Sequence, residues 1–151
     1  MKFNLKVILL GGLALYVTQF ILGMASGPFI HNGILADVYD ATAAFWRPEL
    51  NQDPPDMAAL MPRWIATGLI MAFIMTAIYD TIRPALNGSG LMKGITFGFM
   101  AFLFSAGMTA GYSGVFNLPS EIWLWWNVEG LVTNLVGGAV LGLVCAKLSP
   151  G

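Results

Sequence analysis

Residues 122–146 read IWLWWNVEGLVTNLVGGAVLGLVCA, an apolar run broken by a single charge, Glu129. A hydrocarbon core about 30 Å thick is crossed by about 20 helical residues at about 1.5 Å each. The run meets that length and is a candidate membrane span. Three more stretches meet it: Val7 to Pro28 without a charge, Trp64 to Ile82 with Asp80 near its end, and Gly94 to Phe116 without a charge.

The composition of the whole chain agrees. Of 151 residues, 57% are hydrophobic and 10% charged, with a mean hydropathy of +0.73. Soluble domains are about 45–50% apolar and about 25% charged. A disordered chain and a soluble, surface-charged domain are excluded. Seven Lys and Arg against eight Asp and Glu leave a net charge of −1. A nucleic-acid binder would need a basic excess. The one cysteine, Cys145, excludes an intrachain disulfide framework and a zinc site built on several thiolates.

The four spans leave no room for a soluble domain, so residues 1–151 are expected to form one integral membrane domain. Open strands would leave backbone groups unpaired in lipid. The expected fold is all-α. The links at 83–93 and 117–121 are short, and Pro84, Asn87, Gly88 and Gly90 give the first of them turn chemistry. Short links make successive helices antiparallel neighbours, which predicts an up-down bundle of four transmembrane helices. With a cytoplasmic N-terminus, Lys2, Lys6, Arg83, Lys93 and Lys147 face the cytoplasm, and Arg47 and Arg63 face outward. Trp46, Trp64, Trp123, Trp125 and Trp126 then gather at the outer boundary, as an interfacial belt does. The rival for the first span is a signal peptide, suggested by Lys2, Lys6 and Gly-Met-Ala-Ser at 23–26; the apolar run is long for one.

The outer segment, 31–63, is long enough for structure of its own. Ile34, Leu35, Val38, Thr42 and Phe45 follow helical spacing, with Asp37, Asp40, Ala44 and Arg47 on the other side. This predicts an amphipathic helix in the outer interface, ended by Pro48. It would serve as a lid over the bundle or as a docking surface for a partner chain through Val38, Phe45 and Trp46. Asp56 is placed to cap a helix starting at Met57, and Pro62 falls within its early turns.

Helices in lipid associate through close packing and hydrogen bonds, which favours small residues at helical spacing. Gly12, Tyr16, Gln19, Gly23 and Gly27 form such a stripe in the first span, and Gly68, Ala72, Thr76 and Tyr79 in the second. The third has Gly94, Gly98, Ala101, Ser105, Thr109 and Tyr112, and the fourth has Gly130, Asn134, Gly138 and Gly142. Phe97, Phe99, Phe102 and Phe104 are expected on the lipid side.

Glu129 is the residue most able to carry chemistry. A carboxylate at membrane depth is costly unless it is protonated, paired or solvated. A polar intramembrane site would combine it with Asn134, Asn127, Gln19 and Tyr16; the alternative is a polar clamp between helices. No cation lies within the spans, and Arg63 at the boundary is the expected partner by depth. Asp80 and Arg83 are one turn apart and suited to pairing. His31, the only histidine, is the one residue that suggests a haem or chlorophyll ligand. Its alternatives are a metal site with Asp37 and Asp40, or an interfacial histidine following a helix that ends at Gly27-Pro28. Met71, Met75, Met100 and Met108 suggest either a copper(I) ladder or gap-filling core residues. Cys145, beside Lys147, suggests S-palmitoylation. No nucleotide loop, zinc-protease helix or nucleophile elbow is present.

The layout resembles small four-span bacterial inner-membrane proteins with no activity attached to them. The similar parts are the Gly-rich first span, Ile34-Leu35-Ala36-Asp37-Val38-Tyr39, and Phe45-Trp46-Arg47-Pro48. The resemblance implies a bacterial inner membrane and no activity. The expected function is that of a non-catalytic accessory or structural subunit of a membrane assembly. The alternative is a small oligomeric transporter or channel using Glu129. Expected partners are the bilayer and other membrane chains or further copies, with no nucleic acid and no cofactor.

Overall fold

A side-chain cap opens the first helix: Asn4 accepts a hydrogen bond from the Val7 N–H at 3.3 Å, and α1 runs from Leu5 to Phe29. The computed structural model describes residues 4–149; Lys2, used above for orientation, lies outside the described residues. Further along are α2 (Ala36–Ala41), α3 (Met57–Ile82), α4 (Gly90–Ser113) and α5 (Ser120–Leu148). Asp56 caps α3 by accepting from the Ala59 N–H at 3.1 Å, and Ser89 caps α4. Gly88 precedes that cap at φ 98°, a left-handed conformation that costs glycine little. Among the described residues there is no strand, and α1, α3, α4 and α5 are each long and apolar enough to cross a membrane.

Two helix ends differ from the sequence reading. Gly27-Pro28 does not end the first helix. Pro28 lies inside α1, and a wider turn over Ile30–Ile34 follows, closed by Leu35 N–H bonding to Ile30 O at 2.8 Å. Proline lacks the N–H for the usual helical bond and crowds the carbonyl four residues back. A five-residue bond after it continues the coil with a changed phase. The helix expected in the outer segment is also shorter than its spacing predicts. It stops at Ala41, where the Thr42 hydroxyl bonds back to Val38 O at 2.7 Å, and a tight turn over Ala43–Phe45 replaces the last helical turn.

α1 packs on both α3 and α5, and α4 packs along α5. Contacts bring the starts of α1 and α4 together with the ends of α3 and α5; this is called the near end. There, Gly11 faces Thr76, Leu141 and Cys145, and Gly90 faces Ala146 and Gly142. Val7, Leu15, Ala72, Tyr79, Phe97, Leu141 and Cys145 form the core of this end. Phe97 is therefore not on the lipid side; its ring sits 5.2 Å from that of Tyr79. Arg83 pairs with Asp80 at 3.0 Å and also donates to Cys145 O at 3.1 Å and Ser149 O at 3.2 Å. It thus closes the carbonyl end of α5, where a cation is favoured.

The α4–α5 seam is a backbone-to-backbone contact. A Cβ on Gly94 would stand 2.8 Å from the Gly142 Cα, and one on Gly138 would stand 2.9 Å from the Gly98 Cα. Gly12 is likewise filled by the Phe73 ring. Gly23 and Gly130 are not in any seam: nothing lies within 4 Å of a Cβ placed on either. Periodicity identifies a helix face, not whether a neighbour is present at that height.

Candidate functional site

At the far end, the turn after Pro28 carries His31 towards α5. His31 Nε2 lies 3.1 Å from Glu129 Oε2, and Ser26 Oγ donates to Glu129 Oε1. His31 Nδ1 lies 2.9 Å from the Tyr39 hydroxyl, which accepts from Trp126 Nε1 at 2.8 Å. Glu129 and His31 are 19% and 33% exposed, so the pair is largely covered but not sealed.

The donor inventory gives the chain of bonds a direction. An indole N–H only donates, so the Tyr39 oxygen accepts from Trp126. The Tyr39 hydroxyl hydrogen is then free to donate to His31 Nδ1. That leaves the hydrogen of a neutral imidazole on Nε2, where it donates to a carboxylate that can only accept. The tautomer follows from this bonding pattern. Burial pushes the Tyr39 phenol up; the Trp126 bond partly offsets this and the neighbouring Glu129 charge adds to it. The phenol therefore stays protonated and able to donate.

Apolar packing supports the network. Ile30, Leu35 and Ile122 form a second core, with Val38, Tyr39, Trp46, Leu118 and Trp125 around it. Trp46 meets Tyr39 edge-on at 5.3 Å and donates to Thr42 Oγ1 at 3.0 Å. Val38 and Trp46 are thus half-buried against this core. Only Phe45 of that trio, 55% exposed, presents its side chain outward. The three therefore do not share one environment: Val38 and Trp46 pack on the second core and Phe45 does not.

The other polar residues expected around Glu129 do not hydrogen-bond to it. Asn127 donates to Trp123 O at 2.7 Å and Asn134 to Gly130 O at 2.8 Å, each within its own helix. Gln19 lies against Gly137, and Tyr16 against Gly68. Arg63 is not the ion-pair partner of Glu129; His31 is. The two are 98 residues apart in sequence, but one signal was available. The only histidine and the only charge in the last span fall at the same end of the predicted bundle.

Both ring nitrogens of His31 are engaged by protein groups, so axial ligation of a haem or chlorophyll would require breaking one of these bonds. Among the described residues no three His, Cys, Asp or Glu side chains converge on a metal-sized space, and Asp37 and Asp40 are exposed away from such a cluster. Met71, Met100 and Met108 are exposed, whereas Met75 packs on the near-end core. Cys145 is 0% exposed, its sulfur seated beside Gly11, and is not presented for acylation.

Between the far halves of α4 and α5 lies an open groove of about 370 Å³, lined by Phe102, Ala106, Thr109, Ser113, Trp123 and Asn127 among others. The chain matches no family model, no curated protein and no solved structure.

Proposed function

We propose that this chain is a non-catalytic integral membrane protein, an accessory or structural subunit of a larger membrane assembly. In this reading the four long helices cross a bacterial inner membrane as an up-down bundle with both termini cytoplasmic. α2 and the turn after it form an amphipathic segment at the outer interface. The distribution of loop cations and the resemblance in layout support that placement.

The observation that carries the reading is the far half of α4. Gly107 and Gly111 have nothing within 4 Å of a Cβ position, and Leu103, Phe104, Met108 and Tyr112 are exposed. Small residues let helix backbones approach closely in lipid. Here they lie on a helix face with no intrachain neighbour against it, while His31, Glu129, Ser26, Tyr39 and Trp126 at the same end are bonded to one another. The test is extraction of the tagged protein in mild detergent, recording particle mass, co-purifying chains and visible spectrum. The expected result is a particle containing other chains in stoichiometric amounts. A particle containing this chain alone would count against a subunit role.

One observation favours a second reading, a small oligomeric transporter or channel. The His31–Glu129 pair combines two titratable groups at membrane depth and retains some exposure. Purified protein in vesicles would then conduct an ion or polar solute, and Glu129→Gln would abolish the flux. Unchanged flux in that variant removes this reading.

A further inference from the structure

We propose that the open groove between the far halves of α4 and α5 binds one membrane amphiphile, an alkyl chain whose head is a primary ammonium. Neither Gly107 nor Gly111 lines this groove, so the site stands whether or not α4 also meets another chain.

The groove has a polar and an apolar end. On α4 its lining runs from Phe102 to Ser113, eleven residues that rise about 16 Å at about 1.5 Å each. Phe102 and Ala106 occupy the deep part, towards the middle of the helix. Thr109 and Ser113 follow towards the helix end, one turn apart on the same side. Asn127 joins them from the second turn of α5. An amphiphile upright in the outer leaflet has the same gradient, with its tail inward and its head at the helix ends.

The hydrogen bonds of the lining select the head. The Thr109 hydroxyl donates to Ser105 O at 2.9 Å, and the Ser113 hydroxyl to Ala110 O at 2.7 Å. Asn127 gives one N–H to Trp123 O at 2.7 Å, and the Trp123 indole gives its only N–H to Leu118 O at 3.2 Å. A hydroxyl has a single hydrogen, so one amide hydrogen of Asn127 is the donor left over. The two hydroxyl oxygens and Asn127 Oδ1 keep lone pairs. The side chains of the lining thus offer three accepting atoms against one free hydrogen. A carboxylate head, which only accepts, is matched once; a primary ammonium, with three hydrogens and no acceptor, is matched by all three.

The charges point the same way. Among the described residues no Lys or Arg lines the groove. Glu121 is exposed and lies one turn before Leu124, a lining residue, on the same side of α5. Trp123 adds an indole to the lining, and an indole face attracts a cation.

The test is photolabelling of the full chain in phosphatidylcholine nanodiscs, whose headgroups carry no N–H, by a long-chain primary amine with a diazirine in its tail. Saturable label is expected on residues 102–113 and 123–127. Unlabelled dodecylamine should displace it at about a tenfold lower concentration than dodecanoic acid, the difference made by one hydrogen bond to a charged group. Ala106→Phe fills the deep part and Asn127→Leu removes an acceptor; each should weaken labelling several-fold, and Asn127→Asp should retain it. If the variants do not fold, the wild-type competition decides alone. Label spread evenly over the exposed face of α4, equal displacement by amine and acid, or undiminished labelling of a folded Asn127→Leu protein overturns the proposal. So does loss of the label when two copies share a disc, which would assign the groove to a second copy of the chain.

Discussion

The two halves of α4 carry the same kind of residue under opposite conditions. In the near half, Gly90, Gly94 and Gly98 meet Gly142, Gly138 and Asn134 with backbones touching. In the far half, Gly107 and Gly111 face open space, and the helix is exposed around most of its circumference. A glycine pattern permits close approach in both places; only the near half has a second pattern facing it. Small residues therefore state what an interface would tolerate, and geometry decides whether the interface exists within the chain.

Gly138→Leu attacks the occupied half directly. With the Gly98 Cα in the way, it should cost more than about 4 kcal/mol, beyond ordinary overpacking. Reversible unfolding in mixed micelles measures it, and a loss near zero would mean the near seam is looser than described. Next in size is the polar clamp. Glu129→Ala leaves His31 Nε2 without its acceptor and Ser26 with Gly23 O alone, and should cost about 1–3 kcal/mol in the same assay.

A smaller effect separates the two types of glycine by sign. Gly130→Ala has open space around its new methyl and should stabilise α5 by up to about 1 kcal/mol through helix propensity. Gly12→Ala meets the Phe73 ring and should destabilise. The smallest effect on the chain itself is expected from Gly107→Leu, within about 0.5 kcal/mol. If the far half of α4 meets another chain, the same change should reduce co-purification several-fold. Equal co-purification would place the partner contact elsewhere.

Much of the architecture is legible in the sequence. Length and charge located the four long helices to within a few residues at most ends, and Asp56 and the Asp80–Arg83 pair were read from local spacing. Of the stripe Gly68, Ala72, Thr76 and Tyr79, the last three are buried and Gly68 is half-buried. What failed had non-local causes. Gly27-Pro28 looked like a stop because proline ends many helices, whereas a wider turn absorbs it here. Val38 and Trp46 looked available because the cluster they pack on includes Ile122 of α5, and the ring 6.1 Å from Trp46 is that of Trp126, also of α5. Glu129 was recognised as anomalous, but Ser26 and His31 could not be assigned to it from sequence spacing.

By itself the sequence determined that the chain is helical, apolar and divided into four long segments. Those properties follow from local quantities: the rise per residue, the run length and the helical period. Only the tertiary structure decided which glycines touch, that α1 packs on both α3 and α5, and that His31 completes Glu129. These depend on which helix stands at a given height beside another, and on a phase change introduced by one proline. No window along the chain contains that information, because both partners of each contact must be placed before the contact exists.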